Sequence, residues 1–163
     1  MDSRGAIKAS WATASMVSNM YLEDLTDAQL LMRSVPGVNH IAWQLGHIIQ
    51  SDHDIINDVC PGSMPPLPAG FKEQHSKDKA ASDNPADFLT KAEYQKLAAE
   101  QLAAAAVALA KQTDADFDKA APESMKDYAP TVGDAFLILG SHWLMHAGQW
   151  AVLRRKLGKP PLF

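Results

Sequence analysis

His142 and His146 lie four residues apart in a stretch that reads LILGSHWLMHAGQW. On a helix that spacing projects both imidazoles from one face toward a common point. A chain with six histidines produces such pairs by chance often enough that their setting must carry the reading. They continue a stripe formed by Ala135, Leu139, Gln149 or Trp150, and Leu153, which is expected to face the interior of a helical protein. Two neutral imidazoles among apolar side chains leave ring nitrogens without partners, at roughly 1–3 kcal/mol for each unsatisfied group. A divalent metal ion satisfies both.

His47 is the third nitrogen in view. It falls beside the stripe Ile41, Leu45, Ile48, Ile55, Ile56 and Val59 and shares a face with His40, Trp43 and Ser51. On the residues alone two roles stay open for it, a hydrogen-bonded histidine of the core or a third ligand. His40 and His53 read as capping or solvent-facing residues, and His75 as a surface residue of a loop. A zinc-protease HExxH motif is absent, because Trp143 stands where the general-base glutamate would follow His142. None of Glu23, Glu73, Glu93, Glu100 or Glu123 precedes a histidine by three residues, as carboxylate-bridged di-iron bundles require. Cys60 is the single cysteine, which excludes internal disulfides and CxxC sites. What is left is a mononuclear site on three nitrogens, and three protein ligands with an open position characterise a catalytic rather than a structural centre. Imidazole donors suit zinc, nickel, iron or copper. Zinc or nickel is expected first, with iron after them.

Long segments of good helix formers must carry these residues. Apolar residues recur every three to four positions, and glycine and proline are concentrated between the segments. The pattern predicts helices over residues 3–22, 39–59, 85–112 and 131–157, with a short turn at 26–32 where Thr26 and Gln29 have capping-box spacing. Asn39 is the expected N-cap of the second helix, and Pro85 the first-turn residue of the third. In that third helix Phe88, Ala92, Gln95, Ala99, Leu102, Ala106 and Leu109 form the expected buried stripe. Residues 60–84 are too rich in proline and charge for a core element, and are expected to form a long crossover or lid loop. A connection of ~25 residues can carry the chain along a whole helix, so helices two and three are expected to run parallel. The expected fold is all-α, an up-down-down-up four-helix bundle, in one domain spanning residues 1–163.

Composition narrows the partners. The chain has 163 residues, 15 basic and 19 acidic, for a net charge of −4. It lacks the basic face that nucleic acid or an anionic membrane surface would require. Folding at this size hides roughly 70% of the unfolded surface, enough for a core without a structural metal. The first twenty residues lack the apolar run of a signal peptide, and a cytoplasmic location is expected.

The segment NHIAWQLGHI, Asn39 to Ile48, together with SHWLMHAGQWAVLRRKLG, Ser141 to Gly158, resembles the DinB-like superfamily, which includes the YfiT-type proteins. The match falls on Trp43, Gly46, His47, His142, His146, Gly148, Gln149, Arg154, Leu157 and Gly158, and the order of helices agrees over nearly the whole chain. The resemblance implies a three-His metal site on His47, His142 and His146, and homodimers. Members with an assigned activity include metal-dependent thiol S-transferases using low-molecular-weight thiols and related maleylpyruvate isomerases. The resulting expectation is a divalent-metal-dependent enzyme moving such a thiol to a small electrophile. Trp43, Trp143 and Trp150 are candidate pocket walls, Gln149 a candidate to orient a ligand histidine, and Ser51 and Asp54 candidates for the site mouth. The alternative expectation is a non-catalytic, stress-related bundle that binds a metal or small ligand.

Overall fold

The computed structural model describes residues 2–163. Among them seven α-helices follow one another: α1 (Ser3–Leu22), α2 (Asp27–Leu30), α3 (Ile41–Val59), α4 (Phe71–Gln74), α5 (Lys91–Ala110), α6 (Asp114–Phe117) and α7 (Val132–Lys156). Among the described residues no strand forms, and the one β-bridge joins Ala120 to Thr131. No helix among them is long and apolar enough to cross a membrane.

Local chemistry sets the helix ends. Thr131 and Asp134 close a capping box at the start of α7, as do Thr90 and Glu93 at α5, each pair satisfying two orphan backbone donors. The cap at Thr90 explains why α5 begins at Lys91 rather than at Pro85. Residues Pro85–Asp87 form a separate 3-10 turn under Asn84, and Phe88 is extended, which breaks the run. The N-cap of α3 is His40, not Asn39: its Nδ1 accepts from the Trp43 amide at 3.1 Å. At the other end of α7, Gly158 adopts φ +72°, and the amides of Gly158 and Lys159 return to the carbonyls of Arg155 and Arg154. That is a Schellman stop, which favours a residue without a Cβ.

The longest shared seam runs between α1 and α7, α3 packs against both α5 and α7, and α1 touches α5 only sparsely. The close α1–α7 approach depends on Gly140, where a Cβ would stand 2.4 Å from Ser10 Oγ. Two apolar clusters form the core. One joins the N-terminal halves of α1 and α7, through Trp11 and Phe136, to the C-terminal ends of α3 and α5, through Ile56 and Leu109. The other joins the opposite ends through Leu22, Leu45, Tyr94 and Trp150.

On α5 the buried face is Tyr94, Leu97, Gln101, Ala105, Ala108 and Leu109. Only Leu109 of the stripe expected from sequence is in it. An alanine-rich helix carries little difference in side-chain volume between its faces, so periodicity does not fix its rotation. Residues 60–84 also depart from the expectation of a crossover or lid loop that adds nothing to the core. Met64, Phe71 and His75 are buried, and the stretch is a packed strap that includes α4.

Candidate metal centre

α3 supplies His47 and α7 supplies His142 and His146. One ring nitrogen from each lies within 4.8 Å of the other two, and the Nε2 atoms of His142 and His146 are 3.2 Å apart. Two nitrogens bound ~2.1 Å from one ion at tetrahedral angles would stand about 3.4 Å apart, so the pair is already close to chelating geometry. Burial pushes the imidazoles of His142 and His146 down to about 4, and that of His47 down as well, with Lys77 adding to the effect at His47. All three are therefore neutral near pH 7, the form in which a ring nitrogen can coordinate.

The tautomer of His146 follows from its neighbours. Gln44 Oε1 accepts from Trp150 Nε1 at 2.8 Å and lies 3.0 Å from His146 Nδ1. Because an indole can only donate, that Gln44 atom is the oxygen, and Nδ1 of His146 must carry the hydrogen. Nε2 is left with its lone pair facing His142 and His47. The Gln44 amide is itself held by donating to Asn39 O at 2.6 Å and Gln149 Oε1 at 3.2 Å. Gln44, which sequence reasoning passed over, orients the ligand directly, and Gln149 acts one hydrogen bond further back. The signal available in sequence was a glutamine within the largely apolar run that opens α3, three residues before His47.

His47 is fixed by stacking. The Trp43 ring lies parallel to it, at 7° with centroids 5.1 Å apart, while Trp43 Nε1 donates to Ser76 O at 3.0 Å. Trp43 is thus a buried backing for the ligand rather than an open pocket wall. Beside it, Gly46 has a strict steric reason. A Cβ there would fall 1.9 Å from Cδ2 of His75. His75, expected at the surface, is buried against α3, with Nδ1 2.8 Å from Phe71 O and Nε2 2.7 Å from the Tyr94 hydroxyl. The strap therefore packs onto the back of the segment that carries His47.

The remaining histidines are structural. His40 is buried as a cap, with Nε2 2.9 Å from Ser82 O. His53, half-buried rather than solvent-facing, bridges α3 to α5 through Gln101 at 3.1 Å. Arg154 is buried, donates to Tyr21 O and pairs with Asp24, tying the end of α7 to the end of α1. Cys60 is half-buried with its thiol pushed up by burial and by Asp116, which removes it as a thiolate nucleophile.

Of the three histidines, His47 alone lines a recess of about 290 Å³. Ser51 and Asp54 line this recess beside His47, with Asp58 and Tyr128 among its other walls. Asp54 is engaged there by Lys72 at 3.3 Å and Gln50 at 2.8 Å. Trp143 points the other way, donating to Asp52 Oδ2 at 2.7 Å.

The donor set fits a divalent ion: three neutral imidazoles, one with its tautomer fixed, beside a recess. These features define an all-helical protein with a three-histidine cluster suited to a metal. A family profile described as the DinB superfamily matches residues 11–150, and the chain belongs to that superfamily. Among solved structures it is similar to a conserved protein of Enterococcus faecalis, at 14% identity with a TM-score of 0.70, covering 98% of this chain and 99% of that one. At that identity the likeness speaks for the fold alone. No curated protein matches the chain.

Proposed function

We propose that the protein is a zinc- or nickel-dependent enzyme that transfers a low-molecular-weight thiol to a small electrophile, with His47, His142 and His146 as the metal ligands and iron as the next choice of ion. The carrying observation is the trio of imidazole nitrogens within 4.8 Å of one another, next to a recess large enough for small reactants. Three protein ligands leave a coordination position for an exchangeable group. The bound ion would lower the pKa of a thiol there and make thiolate available near neutral pH. In a substitution the thiolate sulfur would form a bond to the electrophilic carbon as the leaving group departs with its electron pair and the thiol proton passes to solvent; with an activated alkene such as maleate the sulfur would add to one carbon of the double bond while the other takes up a proton. No cysteine of this chain takes part.

The four long helices would form a single-domain, up-down-down-up bundle, a reading supported by the core cluster that gathers the N-terminal halves of α1 and α7 with the C-terminal ends of α3 and α5. The reading extends to a cytoplasmic homodimer. Leu137, Leu144 and Val152 lie seven and eight residues apart on α7 and are exposed, which supports self-association through that face. In analytical ultracentrifugation, Leu144→Lys should shift the protein toward monomer, and an unchanged dimer would exclude this face.

The central test combines elemental analysis with turnover. Purified protein should carry close to one divalent ion per chain, and His142→Ala should lose it. Metal-loaded protein should accelerate the reaction of cysteine or glutathione with 1-chloro-2,4-dinitrobenzene, iodoacetamide or maleate relative to apo protein. Retention of metal by His142→Ala would overturn the ligand assignment. Tight metal binding without rate enhancement across the panel would leave the non-catalytic metal-binding reading in place of the enzyme.

A further inference from the structure

A second cavity lies across α3 from the histidine recess and shares no lining residue with it. It measures about 420 Å³ and opens between α1 and α5, two helices in only sparse contact. Its inner wall includes Trp11, Leu22, Leu139 and Trp143, and its mouth Ala99 and Ala103, which are exposed. The alanines of α5 leave space in front of α1, and Gln95 crosses from α5 to Asn19 of α1 at 3.1 Å at the rim.

Among the polar groups of this largely apolar lining, which include Ser15, Asn19 and Gln95, two are orphaned. Ser18 Oγ and Asp52 Oδ1 are buried without any hydrogen-bond partner, in residues only 3% and 7% exposed, and both residues line the cavity. Buried polar atoms are satisfied in the great majority of native structures, and each orphan costs about 1–3 kcal/mol. A ligand that pairs with them removes that cost while filling the apolar space.

We propose that the crevice between α1 and α5 binds an uncharged, largely apolar small molecule carrying one hydroxyl, of the phenol or medium-chain alcohol class, recognised by Asp52 with Ser18 as the second unpaired polar group of the wall. The volume is within the usual range of small-molecule pockets, which are mostly apolar with a few placed polar groups. The lining contains no Lys, Arg or His, so an anion has no counter-charge. Burial pushes the Asp52 carboxyl up to about 8, so near neutral pH it is mostly protonated and offers no formed carboxylate to a cation. A hydroxyl both donates and accepts, and it matches the carboxyl in either protonation state as well as the serine.

The experiment titrates full-length, metal-loaded protein with 4-propylphenol and with propylbenzene by isothermal calorimetry. The expected result is one site per chain, with the phenol bound at least tenfold more tightly than the hydrocarbon. Ala99→Trp and Ala103→Trp, two exposed mouth positions, should each weaken the phenol at least tenfold. His142→Ala should leave it within twofold, which separates this site from the metal centre. No uptake at 1 mM, equal affinity for the two probes, or full binding in both tryptophan variants would each overturn the proposal. So would binding that disappears with the metal, or a finding that a second copy of the chain fills the crevice and is released by Ala99→Trp.

Discussion

The α3–α7 seam and the α1–α5 seam draw on similar materials, long helices with polar residues set into apolar faces, and reach opposite states. On the α3–α7 seam, Gln44 is engaged through both ends of its amide, by His146, Trp150, Asn39 and Gln149. Its carbonyl oxygen accepts from one side chain that can only donate, and a single indole thereby fixes the tautomer of a histidine. In the crevice between α1 and α5, Ser18 Oγ of α1 and Oδ1 of Asp52, which α3 contributes to the wall, have no partner. A closed polar network holds side chains in one geometry, as ligand positioning requires. An open one stores unsatisfied groups that a bound molecule can relieve.

Substitutions separate the two seams, the strongest first. Gln44→Leu leaves the Trp150 indole and the His146 Nδ1–H unpaired in the core. Metal affinity should fall about 10–100-fold, read by competition with a chelating dye, and stability by several degrees in thermal unfolding. Gln44→Glu keeps the acceptor and should recover part of the metal affinity. A methyl at Gly46 meets the His75 ring, so Gly46→Ala should cost about 1–3 kcal/mol. Combining it with His75→Ala should cost less than the sum of the two single changes, measured by urea unfolding of all four proteins.

The open seam predicts a pH signature. The folded Asp52 carboxyl holds its proton up to about 8, whereas the unfolded one releases it near 3.9. Between those values the folded state binds more protons, so this residue's contribution is fully present in acid and is lost as pH rises from about 4 through 8. Asp52→Asn removes that term. The stability of the variant minus that of the native protein should therefore rise across that window in unfolding titrations at stepped pH. A flat difference would place the Asp52 proton elsewhere. The smallest effect is expected at the rim of the recess, where both partners of the Lys72–Asp54 pair are largely exposed. Lys72→Ala should change stability by less than about 1 kcal/mol.

Much of the candidate site was legible because its signals are local. The four-residue spacing of His142 and His146 is a property of any helix, and the segment around Trp43, Gly46 and His47 carries its own pattern. Gln44 was harder to see, since its importance lies in partners more than 100 residues away. The strap misled for a related reason. Phe71 and His75 stand among lysines, prolines and other polar residues, so their average reads as solvated, while both side chains are buried and His75 enters a slot that Gly46 leaves open.

What the sequence by itself determined was the helical character of the chain, the approximate extent of its long helices and the pairing of His142 with His146, because helix periodicity and caps act within a few residues. Only the tertiary structure decided the rotation of α5, the burial of His75, the tautomer of His146 and the cavity beside Asp52. Each of these depends on which atom of a distant helix fills, or fails to fill, the space in front of a side chain, and no local pattern carries that information.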